Sequence, residues 1–307
     1  MRSIAIGIGL LIMAITVNFS YAFDFGEVLK KLDKKEDLST ILKKEKSPPS
    51  SQDQKAKNPP SLTDVAGLLK GTSVEEEIAI GQEIAGRLLG AAPLVPDESL
   101  QRYVNKVGMW VALQSGRNDL PWSFGVLESE DINAFAAPGG FIFLTKGLYR
   151  KLNNEAELAG VLGHEIGHVI KQHHLTVLKK SKALDLGSRL LSSKLGRVGN
   201  KTGDEAIQHL IGNGAEIMAR GLDKDAEYEA DRIGVVLATR AGYDSYGLPV
   251  VLQEIGHVSA KDSSVSLLFK THPQPDARLS KLGDAMGSFD RFPDGKTLST
   301  RFYVLSE

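Results

Sequence analysis

The chain has 307 residues, a formal net charge of −1 and no cysteine. The near-zero charge argues against a basic face for nucleic acid. The lack of cysteine excludes disulfides, thiolate metal ligands and a lipid-modified cysteine. Metal ligands would therefore come from histidine, aspartate or glutamate, in one domain of ordinary size.

Residues 1–22 are typical of a signal peptide. Met1-Arg2-Ser3 is positively charged, residues 4–17 form an apolar run, and Ser20-Tyr21-Ala22 offers small residues where a signal peptidase cuts. The run is short for a spanning helix, which needs ~20 residues, although an uncleaved anchor is the alternative interpretation. We therefore expect an exported protein, periplasmic or outer-membrane associated in a bacterium, with no integral membrane segment after signal cleavage.

Residues 23–61 predict a peripheral segment and linker, because they are rich in lysine and contain two proline pairs, Pro48-Pro49 and Pro59-Pro60. We expect the compact domain to span 62–290 and a short C-terminal tail to follow at 291–307. Residues 175–222 are polar and rich in glycine, and they predict either a mobile lid or two packed helices.

Hydrophobic spacing predicts helices over 75–89 and 100–113, then strands over 122–127 and 141–144. A long helix is expected from about 154 to 174, capped by Asn153 or Asn154, and another from about 223 to 241 that stops at Gly242. Helices, then a small sheet, then helices predict an α+β protein.

The first of the two long helices carries a metal-binding motif, His164-Glu165-Ile166-Gly167-His168. Its two histidines are four residues apart, so both project from one helix face and can reach one ion at ~2.0–2.1 Å. Glu165 points ~100° away, where it can hold a water without being a ligand. Glycine destabilises a helix interior. The glycines at 160, 163 and 167 therefore predict that another element or a substrate closely approaches the backbone of this helix.

The spacing leaves the third ligand open. His174 lies at the metzincin distance, but that arrangement needs a glycine at position 171, which is lysine. If the helix continues, His174 points elsewhere, and we interpret His173 and His174 as helix-end residues that favour the negative pole.

The second long helix offers Glu227 and Asp231, in line with the small residues Gly234 and Ala238, which would let the first helix come near. Glu227 could be the third ligand, with Asp231 supporting a ligand histidine. The alternative is a solvated acidic face.

Several segments together resemble the zinc metallopeptidase family of CAAX prenyl proteases and HtpX, and within it the exported soluble bacterial branch represented by BepA and LoiP. They are 133–145, 153–168, 227–231 and 271–278, and the resemblance covers roughly 70–285. It implies a mainly helical, gluzincin-type zincin domain with one zinc ion between the His164–His168 helix and a second helix. It implies Glu227 as third ligand and Asp231 as its companion.

The resemblance also implies catalytic roles. Glu165 would be the general base, and His272 and Arg278 would stabilise the oxyanion. Three departures limit it: spans like those of the prenyl proteases are absent, the tail is too short for the helical-repeat domain of BepA, and no cysteine follows the signal as in LoiP.

We expect Phe141–Thr145 to be an edge strand along the cleft, with Asn133, Ala134, Phe141, Ile142 and Phe143 binding substrate. An extended polypeptide could add to such a strand through main-chain hydrogen bonds with little sequence preference. The predicted function is thus a metalloendopeptidase for unfolded or misassembled envelope proteins, with outer-membrane proteins or assembly machinery as partners and no nucleic acid. The alternatives are a chaperone or assembly factor with latent protease activity, and a metzincin-type secreted protease using His174.

A last hypothesis concerns His272, which stands in a turn stiffened by Pro273 and Pro275. Its imidazole could occupy the open zinc position and close the site like a structural one. The enzyme would then rest in a latent form.

Overall fold

A computed structural model describes residues 71–181, 183, 222–272, 275–287 and 294–305. The predicted signal peptide, the linker over 23–61 and most of the predicted lid over 175–222 lie outside these residues.

Two helices open the described part. Helix α1 spans Val74–Ala91 and helix α2 spans Glu98–Ala112. Each begins after a side-chain cap, because Ser73 accepts a hydrogen bond from the Glu76 amide and Asp97 accepts one from the Leu100 amide. Both predicted helices are confirmed, with ends that lie within two residues of the expected ones.

A three-stranded sheet follows, formed by β1 (Ser123–Leu127), β2 (Ala134–Ala137) and β3 (Phe141–Thr145). The strand order is β1-β3-β2, with β1 parallel and β2 antiparallel to β3. The prediction that Phe141–Thr145 is an edge strand is therefore wrong. The sequence does not predict strand β2, because three of its four residues are alanine, which strands disfavour.

A tight turn joins β2 to β3. Gly139 and Gly140 have φ of 75° and 92°, a left-handed conformation that glycine adopts without strain. A Cβ atom at Gly139 would lie 2.7 Å from the Ile78 Cα of α1, so the turn also needs glycine to fit against that helix. The turn thereby fixes the hairpin against α1.

After the short helix α3 (Lys146–Tyr149), helix α4 spans Glu155–Ile170, with Asn154 as its cap. The predicted continuation to about 174 is wrong, because Gln172 has φ of 53° and residues 173–181 form a separate helical segment. The side-chain Nε2 of Gln172 donates to Oε2 of Glu77 at 2.9 Å. This tertiary contact holds the break and leaves no signal in the local sequence.

Helix α5 spans Lys224–Arg240, capped by Asp223 and followed by Gly242 at φ 89°, as predicted. It packs against α4 at very short range. A Cβ atom at Gly163 would lie 2.7 Å from the Gly234 carbonyl oxygen, and one at Gly234 would lie 2.7 Å from the His164 amide nitrogen. The predicted close approach to the α4 glycines is thus confirmed, and it brings the two ligand-bearing helices together.

Helices α6 (Gly247–Gly256), α7 (Ser266–Thr271) and α8 (Pro275–Met286) complete the helical part. Mainly helical architecture with a small sheet confirms the predicted α+β class. None of the helices in the described ranges is both long and apolar enough to pass through a bilayer.

Residues 294–305, here called the C-terminal strap, cross the start of α4. The Ala156 amide donates to the Thr297 carbonyl at 3.1 Å, and Phe302 stacks on Tyr149 with ring centroids 5.2 Å apart. Arg301 donates from Nε and Nη2 to the two carboxylate oxygens of Glu155, the first residue of α4. The strap therefore fixes the N-terminal end of the helix that carries the predicted motif.

Candidate metal centre

Four buried side chains converge between α4 and α5. His164 and His168 come from α4, Glu227 from α5, and His272 from the residue that follows α7. Each offers a nitrogen or oxygen atom, and these atoms all lie within 4.8 Å of one another. In the ranges that the structure describes, this is the one such group of histidine, aspartate and glutamate.

The donor atoms of this group are suited to a divalent cation. The Nε2 atoms of His164 and His168 are 3.0 Å apart, and they lie 3.7 and 3.5 Å from the two carboxylate oxygens of Glu227. Glu227 Oε1 is buried and has no hydrogen-bond partner among the described residues. Two imidazoles and one carboxylate are the ligand set of many catalytic zinc sites. The residues present therefore fit zinc.

Asp231 and Arg278 contact His164 on the Nδ1 side of its ring. Asp231 Oδ1 accepts from His164 Nδ1 at 2.9 Å, and Arg278 donates to both Asp231 oxygens at 2.9 and 2.5 Å. Burial alone would raise the pKa of Asp231, but the Arg278 guanidinium lowers this pKa well below its usual range. Such a carboxylate fixes the orientation of a ligand histidine. Arg278 Nη1 is also 3.6 Å from Glu227, so the guanidinium faces the carboxylates of the site.

His272 stands beside Glu227. Its Nδ1–H donates to Glu227 Oε2 at 2.8 Å, and its ring centroid lies 5.6 Å from that of His164 and 5.9 Å from that of His168. Burial would lower the pKa of His272, yet the Glu227 carboxylate raises it overall. Burial would likewise raise the pKa of Glu227, but His272 and Arg278 lower this pKa below its usual range.

Glu165 lies on the same helix but outside the donor group. Its side chain is buried, and its Oε2 has no hydrogen-bond partner among the residues described. Burial raises the pKa of Glu165, and the nearby His164 offsets this only in part. A carboxyl group with a raised pKa is suited to accept and return a proton.

His174 does not belong to the donor group, although α4 breaks at Gln172, one residue after the position where the metzincin pattern has its glycine. Its ring is buried, and burial lowers the pKa of His174 to about 3. The interpretation of His173 and His174 as helix-end residues is wrong, because they begin the helical segment 173–181.

Strand β2 lies beside α4, and within the described chain it pairs only with β3. Asn133, just before β2, is fully buried; its Oδ1 accepts from the Ala134 amide, while its Nδ2 has no partner in the described ranges. Residues Phe141 to Phe143 are paired on both sides, by β1 and by β2. Among the described strands, the one next to the zinc-site helix that pairs on a single side is therefore β2.

Residues 98–285 match the sequence model of peptidase family M48. The chain belongs to this family. M48 peptidases depend on zinc, and the cluster of His164, His168 and Glu227 in this M48 chain is able to hold one metal ion.

Three relatives illustrate the similarity. The beta-barrel assembly-enhancing protease of Yersinia pestis is 31% identical over 244 residues, which are 76% of this chain and 48% of the relative. The mitochondrial metalloendopeptidase OMA1 of Schizosaccharomyces pombe is 26% identical over 180 residues, 59% of this chain and 51% of the relative. Metalloprotease YcaL of Escherichia coli K12 is 28% identical over 179 residues, 58% of this chain and 67% of the relative. The chain spans about half the length of the assembly-enhancing proteases that it matches.

Proposed function

We propose that this M48 chain is a zinc-dependent endopeptidase that hydrolyses peptide bonds of unfolded or misassembled proteins in the bacterial cell envelope. One observation carries the proposal: the buried donor group of His164, His168 and Glu227 lies near Glu165, whose buried Oε2 has no hydrogen-bond partner in the described part of the chain. Metal-assisted hydrolysis of an amide bond requires metal ligands and a nearby carboxylate that can accept a proton from water.

Zinc held by His164, His168 and Glu227 would supply a Lewis acid that polarises a carbonyl group and makes water more acidic. Glu165 would take a proton from the attacking water on Oε2 and return it to the leaving nitrogen. Asp231 would keep His164 in the tautomer that is protonated on Nδ1. His272 or Arg278 would stabilise negative charge on the substrate oxygen, and the commitment of Arg278 to Asp231 favours His272.

We propose that substrates bind along β2. An extended polypeptide can add to an open strand edge through main-chain hydrogen bonds, with little dependence on its sequence. Asn133 and Ala134 stand at the start of this edge, and Phe141, Ile142 and Phe143 support it from β3. Recognition of backbone rather than side chains suits a protease for unfolded chains.

The proposed setting is the periplasm or the outer membrane surface. It rests on the signal-like residues 1–22 and on relatives whose name refers to beta-barrel assembly. In this proposal 23–61 is a linker, 62–290 is the peptidase domain and 291–307 is a tail. Outer-membrane proteins or their assembly machinery are the proposed partners.

A chaperone or assembly factor with latent protease activity is the second candidate. It is favoured by His272, whose ring lies in the donor group and could close the metal site. Such a protein would bind unfolded chains along β2 and cleave them only after His272 moves away.

Cleavage of casein by the purified protein tests the proposal. We expect cleavage that stops on chelation, returns with added zinc and is absent in Glu165→Gln. Glu254→Gln, which changes an exposed glutamate of α6, is the matched control. Casein binding without zinc-dependent cleavage would support the second candidate instead.

A further inference from the structure

His168, the second candidate ligand of α4, has a hydrogen-bond partner that His164 does not share. The Nδ1 atom of His168 lies 2.9 Å from the Nδ1 atom of His173. Because His168 turns its Nε2 toward the donor group, its ring proton belongs on Nδ1. His168 therefore donates and His173 accepts, and this leaves the proton of a neutral His173 on its own Nε2.

A carboxylate continues the chain of hydrogen bonds. His173 Nε2 lies 3.2 Å from Glu229 Oε2, and the other carboxylate oxygen of Glu229 lies 2.7 Å from Lys171 Nζ. Each donor meets an acceptor: His168 Nδ1–H to His173, and His173 Nε2–H to Glu229. The salt bridge with Lys171 keeps the carboxylate in place.

The helix break after α4 makes this arrangement possible. Two residues along a helix correspond to ~200° around its axis, so Glu229 cannot face the site from the side of α5 that presents Glu227 and Asp231. Gln172, at φ 53°, turns the chain so that the ring of His173 comes back onto His168. His173 thereby connects a ligand to a carboxylate that could not reach it directly.

We propose that His173 and Glu229 are positioning residues for His168, acting through a relay where Asp231 acts on His164 directly. Both ligand histidines are then oriented by carboxylates of α5, and the alternating acidic residues of 227–231 have three separate roles. Loss of partners of this kind typically lowers metal affinity about 10–100-fold. The inference rests on the zinc site proposed above.

The test is the zinc affinity of the purified protein, measured by competition with a chromophoric chelator. We expect His173→Ala to bind zinc about 10–100-fold more weakly than the wild type. His173→Asn should recover part of this loss, because the amide oxygen of asparagine can accept the proton of His168 in place of Nδ1. His257→Ala and Asp225→Ala, two exposed positions, should leave affinity unchanged.

A double variant separates a relay from two independent contacts. If His173 and Glu229 act in series, His173→Ala combined with Glu229→Ala binds zinc no more weakly than His173→Ala alone. Independent structural effects would instead multiply. The visible spectrum of the cobalt-substituted protein gives a second readout, and we expect it to differ from wild type in His173→Ala, since the ring of His168 is less constrained.

Failure of the relay and failure of the zinc site give different results. If His168→Ala and Glu227→Ala bind zinc like the wild type, the proposed site is wrong. If those two variants lose zinc while His173→Ala keeps wild-type affinity and spectrum, the relay is wrong. Should His173→Ala not fold in the metal-free state, Glu229→Ala, which removes the acceptor of the His173 Nε2 proton, serves instead: weaker zinc binding supports the relay and unchanged binding overturns it.

Discussion

The Nε2 atoms of His164 and His168 lie 3.0 Å apart, and the Nδ1 atom of each ring is hydrogen-bonded away from the other. Two lone pairs therefore face one another, with the Glu227 carboxylate close to both. Without a cation these groups repel, so metal binding should contribute to stability as well as to catalysis.

Zinc is expected to stabilise the folded protein. A ligand at 1,000 times its dissociation constant adds about 4 kcal/mol to the free energy of unfolding, so chelation should lower the melting temperature measured by calorimetry. His164→Ala, His168→Ala and Glu227→Ala should each contain no zinc by elemental analysis and show no effect of the chelator. Zinc retained in Glu227→Ala but lost in His174→Ala would make His174 the third ligand.

Glu165→Gln should separate binding from catalysis. The amide has nearly the size of the carboxyl group but cannot accept the proton, so we expect normal folding, full zinc content and a loss of cleavage of at least ~10²–10⁴-fold. Casein hydrolysis and zinc content measured on the same sample check this. Cleavage at the wild-type rate would exclude Glu165 as the base.

His272→Ala distinguishes a gate from an oxyanion donor. Because the proposed function assigns oxyanion stabilisation to His272, we expect its removal to lower the cleavage of casein by ~10²–10³-fold. The zinc content should stay the same, since His164, His168 and Glu227 remain. A rise in basal cleavage would instead indicate that the His272 ring, which lies within the donor group, closes the site as in the second candidate.

The start of α4 should depend on the C-terminal strap. Arg301→Ala removes the charged donor from the buried Glu155 and leaves it the hydroxyl groups of Tyr103 and Tyr243. We expect the free energy of unfolding to fall by about 1–3 kcal/mol, the usual cost of losing a charged hydrogen-bond partner. Urea denaturation measures this loss, with Arg232→Ala, at an exposed position of α5, as the control.

The same contact predicts a pH dependence. Burial would raise the pKa of Glu155, but Arg301 and the two tyrosines lower it below the ordinary value of 4.5. A carboxyl group with a lowered pKa in the folded state stabilises the protein fully above its unfolded pKa and loses this contribution as pH falls through the folded value. The stability difference between wild type and Glu155→Gln should therefore shrink as pH falls below 4.5. A pH-independent difference would contradict this.

The sequence was informative where the chemistry is local. His164, Glu165 and His168 share one helix and one spacing, so the motif predicts their placement. Glu227 is far along the chain, and only its resemblance to a known family separated it from an acidic surface.

Tertiary contacts explain what the sequence could not predict. The helix break depends on the hydrogen bond between Gln172 and Glu77, which lie 95 residues apart. Because the sequence does not predict this break, it also does not predict the contact of His173 with His168 or the role proposed for Glu229. The sequence does not predict β2, because alanine gives no strand signal, and without β2 the edge position falls to its neighbour β3.

The strap has a consequence for the order in which the site matures. Glu155 and Arg301 are separated by 146 residues. At 5–20 residues per second, Arg301 follows Glu155 off the ribosome after roughly 7–30 s. During this interval the growing chain acquires every residue of the donor group, through His272, while the first residue of α4 still lacks its charged partner. Biosynthesis therefore secures the start of the zinc-site helix last, after the metal ligands themselves have been made.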